Sequence, residues 1–193
     1  MLLNYSESVR WLPFESERWA TVNDQDVSAR LAELEGRLRE LEDEREIREL
    51  LTRYGYYADA ALDDEYYALF TDDCVMDVSS GYEADPYKVL RWEGQDAMRE
   101  FMSVRTAGHG PGFVGRSLHM QGNNLAVAVH GDTAVANGYS FILHQYGSQI
   151  KLQSASINEW HLRRVDGRWM IVERKRRMVG SPDTPEVLRA TEA

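Results

Sequence analysis

The chain reads as an α+β domain in which helices come first and an antiparallel sheet follows, and three features predict this. Apolar residues recur at helical spacing from Val27 to Tyr54. Long strand-like segments rich in Val, Ile, Tyr and Trp fill the second half. The dipeptides Gly131-Asp132 and Asp166-Gly167 then join those segments as hairpins. Helices followed by hairpin-linked strands make an α+β chain rather than an alternating α/β one.

Residues 1–25 lack periodicity but hold Trp11, Leu12, Phe14 and Trp19. They are read as an arm that packs on its own domain or on a neighbouring subunit. From Val27, Leu31, Leu34, Leu38 and Leu41 recur every three or four residues among Glu and Arg. Such a narrow stripe resembles a coiled-coil seam but is short, which suits a helix packing on a partner subunit. Ile47, Leu50 and Tyr54 continue the helix on one face. DDEYYALFTDD reads as a short second helix with acids where its dipole favours them. CVMDV is a short strand, SSGYEADPYKVLRWEG is turn-rich and resists assignment, and GQDAMREFMSV is a third helix with Ala97, Met98, Phe101 and Met102 apolar. The strand candidates are SLHMQGNNLAVAVH, TAVANGYSFILHQY, KLQSASINEWHLRRV and RWMIVERKRRMV. The main domain is read as residues 26–180, with 181–193 a short tail.

Length and charge bound the function. A chain of 193 residues suits one domain, and at that size roughly 70% of the unfolded surface can be buried. A formal charge of -10 argues against a general nucleic-acid binder, which needs a basic face. Cys74 is the only cysteine, so no disulfide can form within the chain and a cysteine-based zinc site is not expected. The N-terminus has no basic start followed by an apolar run, and no apolar stretch reaches the ~20 residues that span a membrane. The expectation is a soluble, cytoplasmic protein.

One stretch does not fit a plain helix. RYGYYADAAL, residues 53–62, puts Tyr54, Tyr56, Tyr57 and Asp59 where a core helix would carry leucines. Together with FTDDCVMDV, the GQDAMREFM helix and a strand meander ending in DGRWMIVERK, this order resembles the SnoaL-like branch of the nuclear transport factor 2-like superfamily. The resemblance covers about residues 43–180. It implies a cone-shaped, curved, antiparallel or mixed sheet, with about three helices closing a deep pocket. Within that superfamily the pattern is most similar to bile-acid dehydratase, scytalone dehydratase and hexachlorocyclohexane dehydrochlorinase. A tyrosine five residues before an aspartate on the first helix, and a histidine on a later strand, match Tyr54, Asp59 and His119. A lyase releasing formaldehyde from diaryl compounds belongs to the same superfamily.

The chemistry implied is a cofactor-independent elimination of water, halide or a small carbonyl fragment from a small hydrophobic aromatic or alicyclic substrate. Imidazole is a base that is neutral near pH 7. A carboxylate on its far nitrogen fixes the tautomer and stabilises the imidazolium. His119 is thus the expected base, Asp59 its orienter, and Tyr54 the acid or oxyanion donor. Tyr54 and Asp59 lie about 140° apart around the helix, so both can border a cavity only if the helix forms its wall. Tyr56, Tyr57, Phe113, Tyr139, Phe141 and Trp160 are expected to line the pocket. An isomerase or polyketide cyclase with the same site, and a non-catalytic ligand-binding or structural subunit, are the alternatives.

Other motifs carry less. His109 lies in the glycine loop GHGPGFVG, a candidate lid, and His130 in a hairpin turn; His144 or His161 would replace His119 if the strand register were shifted. No HExxH occurs, so metal is not expected. Gly110–Gly115 spells GxGxxG but precedes a strand instead of opening a helix. Arg174-Lys175-Arg176-Arg177 is a basic run that strand alternation divides between two faces, suited to pairing with acids or holding a polar substrate group. Self-association is expected, with a trimer favoured over a dimer.

Overall fold

The computed structural model describes residues 24–86, 88–107, 114–122 and 124–191. Most of the expected arm, with Trp11 and Trp19, and also His109 and Phe113, lie outside the described residues. The chain divides into two compact units, Met1–Leu38 and Arg39–Ala193. In chain order the elements are α1 (Asp24–Asp59), α2 (Asp63–Tyr67), β1 (Phe70–Asp77), β2 (Arg91–Glu93), α3 (Gln95–Ala107), β3 (Ser117–Gln121), β4 (Ala126–His130), β5 (Thr133–Tyr146), β6 (Gln149–Val165), β7 (Arg168–Met178) and α4 (Thr184–Val187). The expected α+β class is the observed one.

The helical periodicity changes character along α1. Leu31, Leu34, Leu38 and Leu41 are exposed, whereas Ile47, Leu50, Leu51, Tyr54 and Ala58 are buried. The latter pack against Phe70, Ala136, Trp160, Leu162 and Ile171 in the core of the second unit. Each such aliphatic or aromatic side chain contributes about 1.5–3 kcal/mol on full burial. Asp43 fixes the start of this face, accepting hydrogen bonds from Trp169 Nε1 at 3.2 Å and from Arg164.

The second helix is shorter than DDEYYALFTDD suggests. It stops at Tyr67, and Phe70 instead opens β1, paired with Ile171 and almost fully buried. Sheet pairing and burial thus override a local helical pattern. The unassigned turn-rich stretch contributes β2, which pairs antiparallel with β1. SLHMQGNNLAVAVH divides into β3 and β4, both laid against β5.

Among the described residues the sheet has seven strands in the order β2-β1-β7-β6-β5-β3, with β4 also on β5. Every pair is antiparallel except β1 with β7. Register irregularities at Phe70/Val75, Ile142/Leu143 and His161/Leu162 interrupt the ladders, where bulges bend strands and curve a sheet. Directly opposed residues share a face, so the register stacks side chains in rows. His119, Ile142 and Ser154 form one row; Gln121, Ser140, Ser156 and Met178 the next; then Gly138, Asn158 and Arg176; then Ala136, Trp160 and Arg174. α1 covers this face, since Tyr54 packs edge-on against Trp160 at 5.0 Å.

On the opposite face, the Asn137 side-chain amide donates to the carbonyls of Val187 at 3.2 Å and Leu188 at 2.9 Å. The segment read as a tail therefore contains a docked helical turn with Val187 buried.

Candidate active site

Asp59 is the last residue of α1, where the helix dipole disfavours a carboxylate. Two hydrogen bonds offset that placement. One carboxylate oxygen accepts the backbone N–H of His119 at 2.7 Å, and the other lies 2.6 Å from His119 Nδ1. β3 is an edge strand, so one side of its backbone is available to a side chain. A single acid thus holds the histidine by main chain and ring together. Nδ1–H donating to the carboxylate leaves Nε2 as the basic nitrogen. Both side chains are largely shielded, at 13% and 14% exposure. Gly55 makes the approach possible: a Cβ there would fall 2.4 Å from the His119 carbonyl oxygen.

The dyad borders a cleft of about 350 Å³ lined by Thr52, Tyr56, Leu118, Met120 and Gln121. Tyr56 stands on its wall, 69% exposed. Tyr57 is half-buried against the core, and Trp160 is fully buried. Tyr54 is buried too. Its hydroxyl accepts from Tyr66 at 2.9 Å and from Arg174 on β7, while Asp59 reaches β3 near the far side of the sheet. Tyr139 and Phe141 alternate with Ser140 and so project from the opposite sheet face, at 43% and 36% exposure. His144 sits near the end of the β5–β6 hairpin against the Tyr146 ring.

A family model for the SnoaL-like domain matches residues 39–175. The chain belongs to the SnoaL-like family. This family lies within the NTF2-like superfamily, and solved structures agree with the placement. An NTF2-like protein with a cystatin-like fold from Novosphingobium aromaticivorans is 27% identical, with TM-score 0.66, over 82% of this chain and 96% of that one. A provisionally named scytalone dehydratase from the same organism is 21% identical, with TM-score 0.55, over 72% and 85%. A protein of unknown function from Mycobacterium tuberculosis is 20% identical, with TM-score 0.59, over 80% and 91%. No curated protein matches the sequence.

Within this SnoaL-like domain, a second polar cluster lies on the α1-covered face. Arg174 donates through Nε and Nη2 to Asn158 Oδ1 at 3.0 and 2.8 Å, and its guanidinium lies 4.8 Å from the Trp160 ring centre. Asn158 in turn donates to Ser140 Oγ at 2.8 Å. Arg176 donates to Ser156 Oγ at 2.8 Å and to Ser154 Oγ at 2.5 Å. Burial first, and then the charge of Arg174, push the Arg176 guanidinium down to about 10. Sequence reasoning divided the basic run between two faces but did not align it with the Ser154, Ser156, Asn158 alternation on β6. That alternation was the available signal.

Two titratable groups of β6 belong to the opposite face. Glu159 and His161, two apart on β6, are 2.7 Å apart. Their hydrogen bond is the main cause that raises His161 and lowers Glu159 from their ordinary values. Cys74 is fully buried; desolvation, then the charge of Asp73, raise it to about 11, leaving an unreactive thiol at neutral pH.

Proposed function

We propose that the protein is a cofactor-independent lyase acting by general acid–base elimination on a small ring-bearing substrate. The observation that carries this reading is the double grip of Asp59 on His119, which sets both the tautomer and the rotamer of a base before substrate arrives. His119 Nε2 takes a proton from the carbon next to an activating group. The C–H electron pair becomes the new C=C bond, the bond to oxygen or halide breaks with its electrons, and the proton held on Nε2 passes to the departing group, releasing water or HX and restoring the neutral imidazole. Asp59 stabilises the imidazolium formed. Tyr54 is assigned a positioning role, because its buried hydroxyl accepts from two donors and anchors Arg174. Tyr56 supplies an aromatic wall to the cleft.

The test offers purified protein a panel of aromatic and alicyclic β-hydroxy and β-halo ketones, with products read by mass spectrometry. The expected product has lost water or HX, and His119→Ala lowers kcat by about 10²–10⁴-fold. Asp59→Asn, which removes the charge but keeps the shape, also slows turnover. A His119→Ala protein with the wild-type rate overturns the assignment. A product of unchanged mass replaces elimination by isomerisation.

The apolar residues exposed on the far sheet face support self-association, and the family resemblance favours a trimer.

A further inference from the structure

Strand alternation turns Arg174 and Arg176 to the face that carries His119, and sends Lys175 and Arg177 to the other. The outward pair of cations is matched by acids. Arg177 bonds both oxygens of Asp77 at 2.9 and 3.0 Å and also reaches Asp183, and Lys175 lies 3.9 Å from Asp183. The inward pair is not. Arg174 and Arg176 bond only neutral groups, namely Asn158, Tyr54, the serines and the sulfurs of Met76 and Met178, and neither meets a carboxylate among the described residues. Arg174 is 8% exposed and Arg176 partly open. Two like charges at neighbouring same-face positions, about 6.7 Å apart along the strand, repel one another. Such charges are normally retained only where an opposite charge joins them. The two serines do not depend on a guanidinium at position 176 for a partner, because Ser154 and Ser156 also bond each other at 3.0 Å.

Position matters as much as charge. Arg176 starts from the third row of the face, but its guanidinium reaches back to Ser154, which shares a row with His119 through Ile142. Two strand spacings separate those row members, about 10 Å between backbones. That is the span of one small ring and a substituent. We propose that Arg174 and Arg176, with Ser154, Ser156 and Asn158, form an anion subsite that holds a carboxylate or phosphate group of the substrate. The ring would then lie between Arg176 and His119. Arg176 makes the charged contact and Arg174, fixed by Asn158, Tyr54 and the Trp160 ring, adds field strength. This inference rests on the elimination reading for its substrate but can be tested without turnover.

Binding is measured by calorimetry and by thermal shift with benzoate, inorganic phosphate and neutral benzamide, on wild type, Arg176→Met, Arg176→Lys and His119→Ala. The expected result is that benzoate or phosphate binds and raises Tm, with benzamide at least tenfold weaker than benzoate. Whichever anion binds tighter identifies the group. Arg176→Met should lose at least tenfold in anion affinity while its ligand-free Tm stays level or rises, since a desolvated like charge is removed. Arg176→Lys should retain part of the affinity. A structural arginine would instead lower the ligand-free Tm and leave selectivity intact. Equal binding of benzoate and benzamide, no anion binding to wild type, or full anion affinity in Arg176→Met overturns the subsite. His119→Ala should keep anion binding, so the failure of the subsite and the failure of the catalytic dyad are separable.

Discussion

At Gly55 a single hydrogen atom decides whether α1 can touch β3. Any Cβ there would stand 2.4 Å from the His119 carbonyl oxygen, and that atom belongs to backbone, which cannot swing aside. Gly55→Ala must push the helix outward or bend the strand, an overpacking cost of about 1–3 kcal/mol. Asp59 lies one turn further on and would retreat with the helix, lengthening its bonds at 2.7 and 2.6 Å to His119. The expected outcome is a lower urea midpoint and a shifted His119 ring signal by NMR; an alanine variant with both unchanged would refute the contact. Asp59 and His119 were legible in the sequence because their spacing and order match a family pattern. Gly55 stood in the same quoted stretch without announcing itself, since glycine in a helix signals a close approach only once the partner strand is known. Tyr139 and Phe141 show the reverse difficulty. Their aromatic character suggested a pocket lining, but which face a strand residue takes depends on register, and that is fixed by pairing across the sheet.

Among the elements, the parallel junction of β1 and β7 is held by a fork of Arg177 around the Asp77 carboxylate, with Asp183, just before α4, on the same guanidinium. Burial alone would raise Asp77, but the Arg177 bonds and the Ser79 N–H outweigh it and hold the carboxyl below its usual range. A depressed folded-state value means the stabilisation is fully present above the unfolded value near 4. It is lost as pH falls from there through the folded value. Asp77→Asn leaves the buried guanidinium with the Asp183 carboxylate but without its bidentate partner, and should cost about 1.5–3 kcal/mol at pH 7. The gap to wild type should narrow below pH 4 in denaturant titrations, and a pH-independent gap would contradict the electrostatic account. This junction was invisible beforehand. The pairing partner of CVMDV lies about a hundred residues away, and FTDD, which reads locally as the end of a helix, becomes strand only because Phe70 is buried against Ile171.

For the domain as a whole, class and helix-then-strand order could be read from periodicity and turn signals, because both are local. The rows of the α1-covered face and the apolar remainder of the opposite face could not, because they arise from pairing among β3, β5 and β6. On that opposite face Met120 pairs with Phe141, Leu118 with Leu143, and Leu143 with Leu152. Leu118, Met120, Phe141 and Leu152 remain exposed by 36–58%, with Tyr139 beside them. Neighbouring apolar pairs of this kind form a continuous patch rather than scattered single residues, and such patches mark contact surfaces. Phe141→Ser combined with Leu152→Ser removes much of the patch without touching the cleft beside the dyad. Light scattering on the wild type should give a multiple of 22.2 kDa, three-fold if the trimer holds, and the double variant should shift towards a single chain at the same concentration. The Arg176 anion affinity should persist in that smaller species, because the row it occupies lies on the other side of the sheet. A wild-type protein that already runs as one chain would show that water, not a second copy, covers this surface.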